Sequence, residues 1–149
     1  MIRKRFDRAL YEANDKLAKE AVVEAIDKRK YVVEENEKKR GVDLLIYNKG
    51  EHVAYIEAEI KRVWKGKEFP YESVQIPQRK AKFTELDKPT FFVMFNADQT
   101  QYLVIKDTDL LKSPLKEVPN KYVYSGEYFF QVPIDKVHFN KLNCALKEI

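Results

Sequence analysis

"VDLLIYNKGEHVAYIEAEIK", residues 42 to 61, alternates apolar and polar side chains on either side of a turn signal. Successive strand side chains point to opposite faces, so Ile56, Ala58 and Ile60 share one face and Glu57, Glu59 and Lys61 the other. The intervening "NKG" offers Asn48 and Gly50 for the positive φ of a tight hairpin, which predicts strands over 42–47 and 51–61. A strand face carrying two carboxylates beside an amine is either a solvated sheet surface or a metal site with a positioned lysine.

The flanks extend this hairpin into an α/β pattern. Upstream, Phe6, Leu10, Ala13, Leu17, Ala21, Val22, Ala25 and Ile26 recur at three- and four-residue steps without Gly or Pro, predicting an amphipathic helix over about residues 5 to 29. "YVVEE" (31–35) reads as a short strand and "NEKKRG" as a loop. Downstream, "RVWKGKEFPYESVQIP" (62–77) reads as a long irregular connection, and "QRKAKFTEL" as a short basic helix that Pro77 can begin. "PTFFVMFN" and "QYLVIK" are strands around "ADQT", the first apolar on both faces as a central strand would be. "TDLLKS" predicts one helical turn capped by Thr108, "YVYSGEYFFQVPI" a strand pair around Ser125 and Gly126, and residues 135–149 a closing helix.

The totals fit one domain over residues 1–149 with no internal repeat or linker: the apolar fraction is 44% and the charged fraction 35%. Nine Phe and nine Tyr need a core, which argues against disorder. A net charge of +4 and a pI near 9 favour an anionic partner, because phosphate contacts release counterions. Cys144 is the single cysteine, so an intrachain disulfide and a cysteine-based zinc site are both excluded. The start "MIRKRFDRAL" lacks the apolar stretch of a signal peptide, and no run of about 18 apolar residues occurs, so the expectation is an intracellular, cytoplasmic protein that is neither secreted nor in a membrane.

Antiparallel pairing sets the start of one hairpin arm opposite the end of the other, so Asp43 can meet Glu59 and Lys61 at one sheet edge. Hard cations such as Mg²⁺ favour carboxylate oxygens and retain waters, and with a nearby ammonium such a set suits phosphodiester hydrolysis. "GVDLLIYN…HVAYIEAEIKR" resembles the core of the PD-(D/E)xK nuclease superfamily, with Asp43 matching the first acid, Glu59-Ile60-Lys61 the (D/E)xK element, and Val42 in place of the Pro. The resemblance spans roughly residues 10 to 106. It implies a restriction-endonuclease-like core in α-β-β-β-α-β order, a central mixed sheet flanked by helices with a C-terminal β/α extension, and Mg²⁺- or Mn²⁺-dependent cleavage of DNA, with RNA as a second candidate. It also implies that Asp43, Glu59 and the Ile60 carbonyl hold the metal and that Lys61 positions water. Small members such as Holliday-junction resolvases carry a helical Glu before the Asp, a position that Glu20 matches, with Glu24 one turn on.

Glu57 is a further acid on the same face: a ligand for a second metal, or the true acid one alternation earlier. Gln75 precedes the basic helix, where several branches of the superfamily place a Gln near the scissile phosphate. Arg62, Lys65, Lys67, Arg79, Lys80 and Lys82, interleaved with Trp64, Phe69 and Tyr71, form either a nucleic-acid surface or a solvated basic loop over packed aromatics. Arg3, Lys4, Arg5 and Arg8 form a basic leader, and His52 and His138 receive no role. The aromatics between 122 and 139 read as core, or as a dimer interface. Cutting both strands of a duplex calls for two active sites, so a homodimer is the expected form. A non-catalytic nucleic-acid-binding module on the same fold and a protein-interaction domain are the alternatives.

Overall fold

A computed structural model describes residues 8–38, 41–119, 126–142 and 145–149. Helix α1 (Arg8–Ala25) is followed by β1 (Val32–Glu35), β2 (Leu44–Asn48) and β3 (Glu51–Ile60). Next come β4 (Ser73–Pro77), a 3₁₀ helix (Gln78–Glu85), β5 (Thr90–Phe95), β6 (Gln101–Lys106) and α2 (Asp107–Leu111). β7 (Leu115–Val118), β8 (Glu127–Pro133), a 3₁₀ turn (Ile134–Lys136) and β9 (His138–Lys141) complete the described chain. The class is α/β, with a mixed six-stranded sheet ordered β1-β2-β3-β5-β6-β9 and a three-stranded sheet ordered β4-β8-β7.

β2 and β3 pair as an antiparallel hairpin through Asn48 and Glu51, and β3 runs parallel to β5. A parallel pair needs a crossover, which here carries β4 and the 3₁₀ helix. The predicted turn is present, but positive φ falls on Lys49 (52°) and Gly50 (79°), so Asn48 stays extended as the last paired residue. Two consecutive positive values are the signature of the tight turn whose twist matches paired strands.

The six-stranded sheet separates two apolar layers. Beneath it, Ala18, Ala21, Val22 and Ala25 of α1 and Ile26 just after it pack on Ile56, Ala58, Ile60, Val93 and Phe95. Above it, Val74 and Ile76 of β4, Phe83, Trp64 and Val132 pack on Phe92, Met94, Leu103 and Ile105. All six residues of β5 are buried because each face of that strand meets one of these layers.

Four local expectations are corrected. The stretch read as irregular ends in β4, where Val74 and Ile76 are buried and β8 supplies a partner. α1 stops before residue 29 because Asp27 turns the chain: its Oδ1 accepts the Arg29 N–H and its carbonyl the N–H groups of Lys30 and Tyr31. Thr108 lies inside α2, and Asp107 at the helix start accepts the Thr108 N–H instead. Where a closing helix was expected, His138–Lys141 form β9, which gains a ladder against the edge of β6. β8 takes Leu115–Val118 as its partner, while Ser125 lies outside the described residues, as do Arg3, Lys4, Arg5, the side chain of Arg8, and Cys144.

Candidate active site

Asp43 sits at the entry to β2, and its carbonyl accepts the Asn36 N–H, which extends the β1 ladder by one step. Leu44 pairs with Ile56, so Asp43 comes level with Glu57, two residues short of Glu59. The two acids interlock: the Asp43 N–H donates to Glu57 Oε1 (3.1 Å), and the Ala58 N–H donates to Asp43 Oδ2 (2.9 Å). Glu57 Oε2 lies 3.2 Å from Lys80 Nζ.

The electrostatics follow from this crowding. Burial pushes the Asp43 carboxyl up, the neighbouring Glu57 charge adds to it, and the Ala58 hydrogen bond offsets only part, leaving a pKa of about 8. Asp15 of α1 contributes in the same direction. Burial works against the charged form of Lys80, but the charges of Glu59, Glu57 and Asp43 and the hydrogen bond to Glu57 outweigh it and raise its pKa. Lys80 is thus the ammonium that serves the acid pair.

Its position is fixed from several sides. Phe83, buried in the upper layer, anchors the 3₁₀ helix, and the Phe83 carbonyl accepts the Thr90 hydroxyl (2.6 Å) at the start of β5. Arg79 pairs with Glu127 and ties the same helix to β8. The first acid therefore comes from the hairpin and the amine from the crossover.

Lys61 takes another partner. Its ammonium is 3.4 Å from Glu59, whose side chain is 37% exposed against 10% for Glu57. A cleft of about 600 Å³ is lined by Asp43, Glu57, Glu59, Ile60 and Lys80, with Asn14, Asp15 and Lys19 of α1 on its wall, whereas Lys61 lines an adjoining depression. The expected trio is therefore split: Asp43 and Glu59 share the cleft, and Lys61 does not line it. The side chain of Ile60 belongs to the apolar layer under the sheet.

Glu20 and Glu24 are exposed on α1 and line no part of the cleft, and Glu24 pairs with Lys28. The helical acid that reaches the cleft is Asp15, which forms an ion pair with Lys19 at 3.0 Å; Lys19 also meets Glu35 of β1 at 3.0 Å. Asp15 lies roughly 140° around the helix from Glu20, which is why only one of them can face the site. A one-turn pair, Asp15 and Lys19, on the margin of an apolar face was the available signal.

The basic residues divide by partner. Arg62 donates to Asn14 Oδ1 (2.9 and 3.2 Å), and Arg79 and Lys80 are engaged as above. Lys82 lines the cleft with its ammonium 5.2 Å from the Phe83 ring, and Lys65 and Lys67 are exposed. Trp64 is wholly buried, with Nε1 donating to the Lys67 carbonyl (3.2 Å), so it is core. Gln75 is exposed and lines the depression that holds Lys61. His52 packs edge-on against Tyr55, with ring centroids 4.4 Å apart, and its Nε2 lies 3.0 Å from the Ala54 carbonyl oxygen.

Asp43 and Glu57 could together hold a cation, since two adjacent carboxylates gain from a positive charge between them, and Glu59 and Asp15 line the same cleft. Among the described residues no group of three or more His, Cys, Asp and Glu converges as a ligand set. A site of this kind would leave the remaining positions to water and substrate, as Mg²⁺ permits. No helix among the described residues is long and apolar enough to cross a membrane. No family model, curated protein or solved structure matches the chain.

Proposed function

We propose that the protein is a divalent-metal-dependent endonuclease acting on DNA, with Asp43 and Glu57 as the metal carboxylates and Lys80 as the site's amine. The observation that carries this reading is the interlocked Asp43–Glu57 pair with Lys80 at 3.2 Å on the floor of an open cleft. The β1-β2-β3 meander, the crossover and the parallel β5 also support a restriction-endonuclease-like core. In this reading the 3₁₀ helix between β3 and β5 takes the part of that core's second helix.

The chemistry that Mg²⁺ or Mn²⁺ supplies, when bound, is activation of water and neutralisation of phosphate charge. The chain's own residues do the rest. The Ala58 N–H holds one oxygen of Asp43, the Asp43 N–H holds one oxygen of Glu57, and both carboxylates are thereby pre-aimed into the cleft. Lys80 brings a permanent positive charge to the place where a phosphate would gain negative charge, and its donors can orient a water. Glu59, more exposed and paired with Lys61, lies next along the strand as an accessory acid.

Among the described residues no three or more His, Cys, Asp and Glu converge as a ligand set, which favours one alternative, a nucleic-acid-binding module on the same fold without cleavage. Plasmid, linear, single-stranded and four-way-junction DNA incubated with Mg²⁺ or Mn²⁺ separates the two. Cleavage that disappears in Asp43→Asn, Glu57→Gln and Lys80→Ala supports the nuclease. Salt-dependent binding without cleavage of any substrate establishes the module and removes the catalytic reading.

A further inference from the structure

Past the C-terminal end of β3, between the start of the crossover and β4, lies a second concavity with a different chemical character. It measures about 520 Å³, and Lys61, Val63, Phe69, Tyr71 and Gln75 line it. Val63 is 57% and Tyr71 54% exposed, so two large apolar groups face solvent next to a lysine and a primary amide. Glu72 is the acidic residue on its wall.

Phe69 also forms the boundary of a third depression, which contains Lys67, Phe139 and Lys141. The rings are coupled: Phe69 stands edge-on to Tyr71 at 5.9 Å and tilted to Phe139 at 6.1 Å, over the buried Trp64 at 5.4 Å. The aromatic row is thus rooted in the core by Trp64 while Tyr71 and Phe139 remain open.

Lys61 links this row to the cleft. It follows Glu57 by four positions, just past the end of β3, a displacement of about 13 Å along the strand direction, comparable to two extended nucleotide steps. A phosphate seated at Asp43, Glu57 and Lys80 would place the phosphate two steps along near Lys61 and the adjoining base over the aromatic row. Exposed rings carry bases of any sequence by stacking, and spaced lysines follow the backbone. A paired duplex cannot use such a row, because its bases are already stacked on one another.

We infer that the concavity containing Lys61, Tyr71 and Gln75 is a base-stacking track for an unpaired nucleic-acid strand entering or leaving the cleft. This rests on the proposed phosphate site for its direction, but its own chemistry requires only binding. Tyr71 supplies the stacking face, Lys61 the phosphate contact and the Gln75 amide a hydrogen bond to a base edge. The substrate class assigned to the protein is accordingly DNA with a single-stranded segment, such as a tail, a flap or a splayed junction arm.

The test is fluorescence anisotropy with a labelled oligothymidylate and a blunt duplex of equal length, in EDTA so that no cleavage intervenes. The single strand is expected to bind more tightly than the duplex. Tyr71→Ala should weaken single-strand binding about tenfold or more, while Tyr71→Phe, which keeps the ring, stays within about twofold. Equal binding of the single strand by wild type and Tyr71→Ala, or no preference for it over duplex, overturns the track. Because the readout contains no chemistry, loss of the nuclease reading through active Asp43→Asn protein would leave a positive Tyr71 result standing. A negative Tyr71 result would equally leave cleavage by the Asp43–Glu57 pair untouched.

Discussion

Lys80 Nζ lies 3.2 Å from Glu57 Oε2, although one residue sits on the 3₁₀ helix and the other on β3, with the connection after β3 and all of β4 between them. Their side chains are 19% and 10% exposed, so each limits the other's access to water. Removing one partner leaves a poorly solvated charge, which is costlier than the loss of a surface ion pair.

This ranks the amines. Lys80→Ala is expected to reduce cleavage by at least about a hundredfold and to lower stability by about 2 kcal/mol, whereas Lys61→Ala retains most duplex cleavage. Single-turnover rates beside urea unfolding of the two variants provide the comparison. Equal losses in the two, or a larger loss in Lys61→Ala, would return the amine's role to the strand position that the motif spacing indicated.

Asp43 gives a pH signature. With its pKa raised to about 8, the carboxyl is protonated below that value in the metal-free protein, and a divalent cation must displace the proton. Affinity for Mg²⁺ or Mn²⁺ should therefore rise about tenfold per pH unit up to about pH 8 and then level off. Calorimetry at pH 7 in two buffers of different ionisation enthalpy should register proton release near one per metal, and Glu57→Gln should shift the levelling point to lower pH.

The same shift sets the sign of the stability profile. A carboxyl whose folded pKa exceeds its ordinary value of 3.8 contributes stability below that value and loses it as pH rises through about 8. The metal-free protein should thus melt at a lower temperature at pH 8 than at pH 5, and Asp43→Asn should reduce that difference. A steeper fall in the Asn variant would contradict the assignment.

The hairpin and the core offer tests independent of catalysis. Lys49 holds φ at 52° ahead of Gly50, so Lys49→Asn should stabilise by about 0.5 kcal/mol, since Asn tolerates the left-handed region better. Trp64 is the chain's single tryptophan and is fully buried, so its emission should be blue-shifted and should report unfolding. Trp64→Ala should cost about 3–5 kcal/mol in denaturant titration.

The five strands β1, β2, β3, β5 and β6 of the larger sheet were legible because apolar patterning and turn residues agreed along the hairpin and along 90–106. β4 escaped because "SVQIP" offers only Val74 and Ile76 as its buried pair and ends in Pro77, a pattern tolerated on an edge strand but easily taken for loop. β9 escaped because its partner, β6, lies far away in sequence, and no local pattern announces it. In the site, Asp43 and the acidic face of β3 followed from period-two alternation alone. The choice between Glu57 and Glu59 did not, because the turn alone would set Asp43 opposite Ile56, and a one-residue bulge between Ile46 and Tyr47, which no local pattern announces, moves it level with Glu57. Lys80 was read as one cation among several in a basic run. Its place beside Glu57 depends on how the crossover docks, through Phe83 and Thr90, which no spacing along the chain encodes.

The acids are set in a hairpin inside the larger sheet, while the amine rides on a 3₁₀ helix held by a hydroxyl, an aromatic ring and one arginine. Such a segment opens more readily than the strands beneath it, since few backbone bonds tie it down. The expected order of failure follows: on gentle denaturation the crossover should detach first, so that a chain whose strands still give a native-like spectrum has already lost the charge beside Glu57.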